Sequence, residues 1–258
     1  MSTSHACSAT VGWFEITATD PSLSQSFYEG LFGWSFDSFG GEDSYRTITA
    51  PGAGTSMGAL RRGDRDALCI GVVCSDAAAT VRRLESLGAV LSEPPERTPA
   101  GDIHAVVTDV RGNPLGLFEP AGQGGAAAGD AAPVLNSTAF FEIGTNDLAA
   151  TQEFYKAAFG WTTERDAAAE GVAYYSVLLP DASAEIGGVL DLSEMDGRSD
   201  YAIPGLYVSD IEELLERSVA AGGRRVMGPV SDANGIVVGQ FLDPVGNRWS
   251  AFTLPSAD

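Results

Sequence analysis

Four side chains in the first half of the sequence have types able to move protons or attack an electrophile: Glu15, Cys69, His104 and Glu119. A histidine beside a carboxylate makes an acid–base pair that works near neutral pH. His104 with Glu119 is therefore one candidate. Glu15 is a second if it is buried, because burial raises a carboxyl pKa. Cys69 lies in the apolar run LCIGVVC, where burial favours the inert thiol over the thiolate, so it is expected to line a pocket rather than to act as a nucleophile. The second half offers Glu142 in place of Glu15, but Val238 and Thr253 in place of His104 and Glu119, and cannot copy the pair. Trp13, Tyr45, Phe140, Tyr174, Tyr175 and Trp249 are the aromatic rings that could stack on a planar or cationic ligand beside these carboxylates. The two glutamates could equally serve the fold, by hydrogen-bonding to backbone in both copies.

Other chemistries have no motif to carry them. The sequence contains no Walker loop, no G-x-S-x-G elbow and no C-x-x-C. Fifteen basic against 35 acidic residues give a formal charge of −20, which repels nucleic-acid phosphates and anionic lipid and attracts a cationic ligand. Three cysteines without metal-type spacing argue against a disulfide framework and fit a reducing cytoplasm. No basic, apolar leader and no long apolar run is visible. The expected partner is a small molecule, not nucleic acid or a membrane.

The elements that must position these residues repeat. GWFEITATDPSLSQSFYEGLFGWSF from Gly12 and AFFEIGTNDLAATQEFYKAAFGWTT from Ala139 share one register: Glu15, Asp20, Tyr28 and Trp34 recur as Glu142, Asp147, Tyr155 and Trp161, a constant spacing of 127 residues. Farther on, Asp109–Asn113 matches Asp243–Asn247 at a spacing of 134, so insertions have entered the loops of the second copy. Each copy opens with an alternating strand, then an Asp fit to cap a helix. An apolar helical face follows (Phe27, Leu31 and Phe32; Phe154, Ala158 and Phe159), and a glycine at 33 or 160 fit to end it. Three shorter strands come next, and the pattern restarts at Leu68 and Ala202. The sequence therefore predicts an α+β protein of four βαβββ modules, arranged as a first domain over 9–121, a Gly/Ala-rich linker over 122–135 and a second domain over 136–255.

The anchors F-E-I-x-x-x-D, F-Y-x-x-x-F-G-W, a helix ending in L-G-A, and D-x-x-G-N before a final strand resemble the vicinal oxygen chelate superfamily, which includes glyoxalase I, extradiol dioxygenases and bleomycin-binding proteins. The resemblance is closest to its two-repeat, glyoxalase-like actinobacterial members. It implies two cupped mixed sheets with helices on their convex faces and a ligand hollow on each concave face. It also implies a test for metal. First-strand ligands in metal-dependent relatives would fall here on Trp13, Cys69, Phe140 and Ile203, and the closing carboxylate on Glu119 in the first copy and on Thr253 in the second. Apart from Cys69 and Glu119 none of these is a donor, and of the two histidines His5 lies near the amino terminus and His104 aligns with no ligand position, so no metal or other cofactor is expected. An irregular first-half site from Glu15, Cys69, His104 and Glu119 stays open.

The leading functional expectation is a metal-independent protein that sequesters or carries an aromatic or cationic small molecule. The alternatives are a metal-free lyase, isomerase or cyclase using Glu15 or the His104–Glu119 pair, and a regulatory or scaffold protein with vestigial pockets. Either a monomer or a homodimer is compatible with four modules in one chain.

Overall fold

The computed structural model describes residues 10–38, 45–121, 133–180 and 185–255. Most of the expected linker, and His5, lie outside these residues. The first half runs β1 (Thr10–Ala18), α1 (Pro21–Phe32), β2 (Ser35–Ser38), β3 (Tyr45–Thr49), β4 (Gly58–Arg62), β5 (Ala67–Val73), α2 (Ala77–Ser86), β6 (Val90–Arg97), β7 (Ile103–Thr108) and β8 (Pro114–Glu119). The second repeats it as β9 (Thr138–Thr145), α3 (Leu148–Phe159), β10 (Thr162–Arg165), β11 (Tyr174–Leu178), β12 (Glu185–Asp191), β13 (Tyr201–Tyr207), α4 (Ile211–Ala220), β14 (Arg224–Ser231), β15 (Val237–Leu242) and β16 (Arg248–Thr253).

Each half forms one eight-stranded mixed sheet, ordered β2-β3-β4-β1-β5-β8-β7-β6 and β10-β11-β12-β9-β13-β16-β15-β14. The module-opening strands pair antiparallel at each centre, β1 with β5 and β9 with β13, while β4 and β8 run parallel to β1 and β5. The helices start where the sequence places them. Asp20, Asp76, Asp147 and Asp210 each accept a hydrogen bond from an amide of the first turn, which satisfies donors the helix leaves free. Gly33 and Gly160, at φ of 69° and 75°, end α1 and α3 in the left-handed conformation that a side chain would strain.

The helix-bearing faces of the two sheets pack on each other, so the halves do not have separate cores. One apolar cluster joins Ile70, Leu84 and Leu117 to Phe141, Phe154 and Trp161. The other joins Phe14, Tyr28 and Trp34 to Leu206, Leu215, Phe241 and Trp249. The first module thus packs on the fourth and the second on the third.

The repeated motifs lie at this seam. Tyr28 donates to Asp243 Oδ2 at 2.7 Å, and Tyr155 donates to Asp109 Oδ2 at 2.8 Å, so the F-Y of each half holds the D-x-x-G-N of the other. Each aspartate also accepts from the amide and side chain of its own Asn113 or Asn247. Burial first, and the aspartate's charge second, push both tyrosine hydroxyls well above the usual phenol range, so they remain donors. Trp34 and Trp161 stack on Tyr28 and Tyr155 with ring centroids 5.1 and 5.3 Å apart. Burying such rings contributes about 1.5–3 kcal/mol each, which explains why F-G-W recurs while the polar residues of the sheets diverge.

Candidate functional site

Because side chains alternate across a strand, the residues of each sheet divide between the shared core and a concave face. In the first sheet the concave face carries Trp13 and Glu15 of β1, Cys69 of β5, His104 of β7 and Phe118 of β8, with Tyr45 of β3 and Arg61 of β4 reaching in from one side. Trp13 stacks flat on Phe118, with centroids 4.4 Å apart and planes 10° from parallel. Glu15, only 2% exposed, receives Arg61 Nε on Oε1 at 2.5 Å. Arg61 Nη2 reaches on to both oxygens of Glu93 on β6 at 2.7 and 2.8 Å. This guanidinium straps one side of the sheet to the other across the hollow, leaving a cavity of ≈640 Å³ that Glu15, Arg61, Cys69 and Glu93 border. Glu15 Oε2 and His104 Nε2 lie 3.4 Å apart, yet neither, nor Trp13 Nε1, has a hydrogen-bond partner within the described protein. Burial, then the charge of Glu15, push the Tyr45 hydroxyl and the Cys69 thiol far up, so Cys69 remains a thiol.

Two expected site residues are elsewhere. Glu119 has the strand parity of Leu115 and Leu117, which lie in the shared core, and its Oε2 accepts from the amide of Ala77 at 2.8 Å. It caps α2 on the opposite side of the sheet from His104, so the His104–Glu119 pair does not form. Trp249, fully buried, belongs to the other shared cluster, where it donates to the Tyr28 hydroxyl at 2.9 Å; it faces away from the hollow. In both cases the residue lies in the expected strand, and the alternation of side chains turns it to the core face. The inward residues at these places are Gly116 and Phe118 in β8, and Arg248, Ser250 and Phe252 in β16.

The second sheet is built from the same positions and encloses a different space. A cavity of ≈1410 Å³ lies on its concave face, and Phe140, Glu142, Tyr174, Leu190, Tyr201 and Met227 are among its lining residues. Pairing registers make the substitutions explicit. Leu190 replaces Arg61, since each lies two residues beyond the partner of the central glutamate. Met227, opposite Gln240, replaces Glu93, opposite Val106. The strap has become two flexible apolar side chains. Glycine makes room for two tyrosines: a Cβ on Gly188 would meet the Tyr174 hydroxyl at 1.9 Å, and one on Gly144 the Tyr201 ring at 2.2 Å. The first half has Ala59 and Thr17 at these places.

At the base of this cavity is a polar group that residue types alone did not reveal beyond Glu142. Glu142 Oε1 accepts from the Tyr201 hydroxyl and from Gln240 Nε2, the latter at 2.6 Å. Gln240 Oε1 in turn accepts from Arg248 Nε at 3.1 Å and from Nη2, and the guanidinium carbon lies 3.8 Å from the Tyr201 ring centroid, a cation–π contact. Burial raises the pKa of Glu142, outweighing the two hydrogen bonds and the charge of Arg248, which lower it. Burial also pushes the Tyr174 and Tyr201 hydroxyls well above their usual value, with the charge of Glu142 adding to it. Gln240 and Arg248 share the inward parity of β15 and β16, a placement that only the register of the folded sheet supplies.

The family model described as the Glyoxalase/Bleomycin resistance protein/Dioxygenase superfamily matches residues 135–251. The second half belongs to that superfamily. The first half repeats its topology strand for strand, giving the tandem vicinal oxygen chelate fold. The chain is 24% identical over 264 residues, 95% of it and 93% of the relative, to the anthracycline biosynthesis protein DauV of Streptomyces sp. (strain C5). Among solved structures, the Mn(II)-bound glyoxalase from Novosphingobium aromaticivorans matches with a TM-score of 0.63 at 17% identity, over 98% of this chain and 85% of that one. A homoprotocatechuate 2,3-dioxygenase variant from B. fuscum matches at 0.66 and 15%, over 98% and 73%. At such identities the shared fold does not carry the chemistry with it.

A divalent ion of the kind glyoxalase-fold enzymes hold needs several oxygen, nitrogen or sulfur donors converging on one point. Among the described residues no three of His, Cys, Asp and Glu are so placed. The carboxylate at the centre of each cup already serves a guanidinium or a Tyr–Gln pair. The described residues therefore do not fit a divalent ion in either cup. No helix among the described residues is long and apolar enough to cross a membrane.

Proposed function

We propose that the protein binds a planar, polycyclic aromatic small molecule carrying a cationic group in the cup of its second half, without a metal. The observation that carries this reading is the difference between the cups: the first is crossed by the Glu15–Arg61–Glu93 strap, which leaves ≈640 Å³ lined largely by charged side chains, and the second is more than twice as large and mostly apolar. Its ≈1410 Å³ exceeds the about 300–1,000 Å³ usual for drug-sized ligands, enough for several fused rings. Phe140, Tyr174 and Phe252 offer faces for stacking. Glu142, Asp166, Glu170, Glu185 and Asp232 line the cavity against Arg198 and Arg248, an acidic excess that favours a cation. The name of DauV, which places that relative in anthracycline biosynthesis, agrees with a ligand of this class.

An anthracycline bearing an amino sugar is the first probe, followed by its own fluorescence on titration. The expected result is saturable binding at micromolar or lower concentration, about 8 kcal/mol, unchanged after dialysis against EDTA. Binding that EDTA abolishes and Mn(II) restores contradicts the metal-independent part of the reading, and no binding contradicts the whole.

A further inference from the structure

The polar base of the second cup is more than a ligand-orienting surface. The geometry points to Glu142 as a catalytic base that takes a proton from carbon α to a ketone, with Arg248 holding the resulting enolate oxygen. This deepens the binding reading above and rests on it.

The argument starts from which atoms are already engaged. Both hydrogen bonds to Glu142 fall on Oε1, and Glu142 lines the cavity, so Oε2 is the oxygen offered to a ligand. Arg248 spends Nε and Nη2 on Gln240 and also lines the cavity, which leaves Nη1. The carboxylate and the guanidinium do not pair directly. Gln240 stands between them, its amide nitrogen on one and its amide oxygen on the other, and holds them apart by the width of one amide group. A carbon acid needs that separation, because the base must reach the α-hydrogen while a cation faces the carbonyl oxygen on the neighbouring carbon. Were the two groups in contact, each would neutralise the other and neither would be free for a ligand.

The step is balanced without an oxidant or a metal. The Glu142 carboxylate accepts the α-proton. The C–H electron pair becomes the new C=C bond, and the carbonyl π pair moves to oxygen, where Arg248 stabilises the negative charge. Once the Glu142 proton has been replaced by one from solvent, its delivery to the same carbon gives exchange, and delivery to a different carbon gives isomerisation. Gln240 acts as a positioning residue. Tyr174, Tyr201 and Arg248 are the titratable or charged groups facing Glu142, from β11, β13 and β16. The raised pKa of Glu142 brings its basicity closer to that of a base useful near neutral pH.

The test uses 2-tetralone, a bicyclic ketone with acidic α-hydrogens, incubated with the full chain in D2O, with deuterium uptake followed by NMR and ketone binding measured separately by calorimetry. The wild type is expected to accelerate exchange saturably, with a rate that rises with pH as Glu142 ionises and then levels off. Glu142→Gln is expected to lower the rate at saturating ketone by about 100-fold or more. Gln240→Leu, which removes the spacer and not the base, is expected to lower that rate and displace the pH inflection. His104→Val, in the other cup, serves as the control with unchanged exchange. Circular dichroism checks that each variant folds, and the wild-type pH profile supplies a reading independent of any variant.

Exchange at the buffer rate with wild type overturns the proposal, as does undiminished exchange in folded Glu142→Gln. If the ketone or the anthracycline binds while exchange stays at the buffer rate, proton transfer falls and the binding reading stands. If neither binds, both fall.

Discussion

The two cups of this protein descend from one pattern and have opposite interiors. In the first, a buried glutamate is neutralised by an arginine that crosses the hollow and grips a second glutamate on the far side, and Trp13 lies flat on Phe118. In the second, the corresponding glutamate is bonded by neutral groups and the positions of the strap are Leu190 and Met227. Two exchanges on facing strands thus separate a smaller hollow crossed by ion pairs from a larger, mostly apolar ligand cavity. Duplication permits this: the seam between the halves needs both copies, so one cup can carry the ion-paired strap and stabilise the fold while the other keeps the larger hollow.

The sharpest way to break the comparison is to graft the strap. Leu190→Arg with Met227→Glu places the charges of the first cup in the second and is expected to weaken anthracycline binding by at least 100-fold, about 2.7 kcal/mol, with the circular dichroism spectrum retained; calorimetric titration reads it. Unchanged affinity would show that the open cavity is not the binding site.

Removing the strap from the first cup should act on stability and not on binding. Arg61→Leu leaves Glu15 buried with its charge uncompensated. Because Arg61 is a quarter exposed, the cost falls below the roughly 3–5 kcal/mol of a fully buried pair and is expected near 2 kcal/mol, a Tm lower by about 4–8 °C. Adding Glu15→Leu should recover most of it, which thermal unfolding of the double variant checks.

The seam offers a finer contrast. Tyr28→Phe and Tyr155→Phe each remove one hydrogen bond to a buried aspartate, a loss of about 1.5–3 kcal/mol. Tyr28 also accepts from Trp249, whereas Leu115 stands where a counterpart of Trp249 would be, so Tyr28→Phe is expected to cost about 1 kcal/mol more. Urea midpoints in parallel read the difference, and equal losses would remove the asymmetry. Least of all, His104→Val, which copies Val238 and removes a buried Nε2 that has no hydrogen-bond partner among the described residues, should change stability by no more than about 1 kcal/mol and leave the second cup's affinity as it was.

The fold was legible because its signals are local or repeated. Asp caps, Gly stops, the apolar helical faces and the constant spacing between copies all lie within short stretches of chain, and β3, β7 and β16 fall on the residues that alternation and turn signals assign. The site was legible only in part. Glu15, Trp13, Tyr45, Cys69 and His104 come together in one hollow, and Phe140, Glu142 and Tyr174 line the other. Glu119 and Trp249 were placed on the wrong face, because a shift of one position along a strand reverses the side chain and the sequence gives no mark of which parity faces inward. Tyr201, Gln240 and Arg248 passed unnoticed because nothing near them in the chain resembles a motif.

By itself, then, the sequence determined four modules, their order, the helix ends and the presence of one glutamate at the heart of each half. Those follow from propensity, capping and periodicity, which act between neighbours. Tertiary structure alone decided that the halves share their cores through crossed Tyr–Asp contacts, that Arg61 bars one cup, and that Glu142 meets Gln240 and Arg248 from strands a hundred residues away. Such contacts depend on register and sheet curvature, and only the folded chain brings those distant residues face to face.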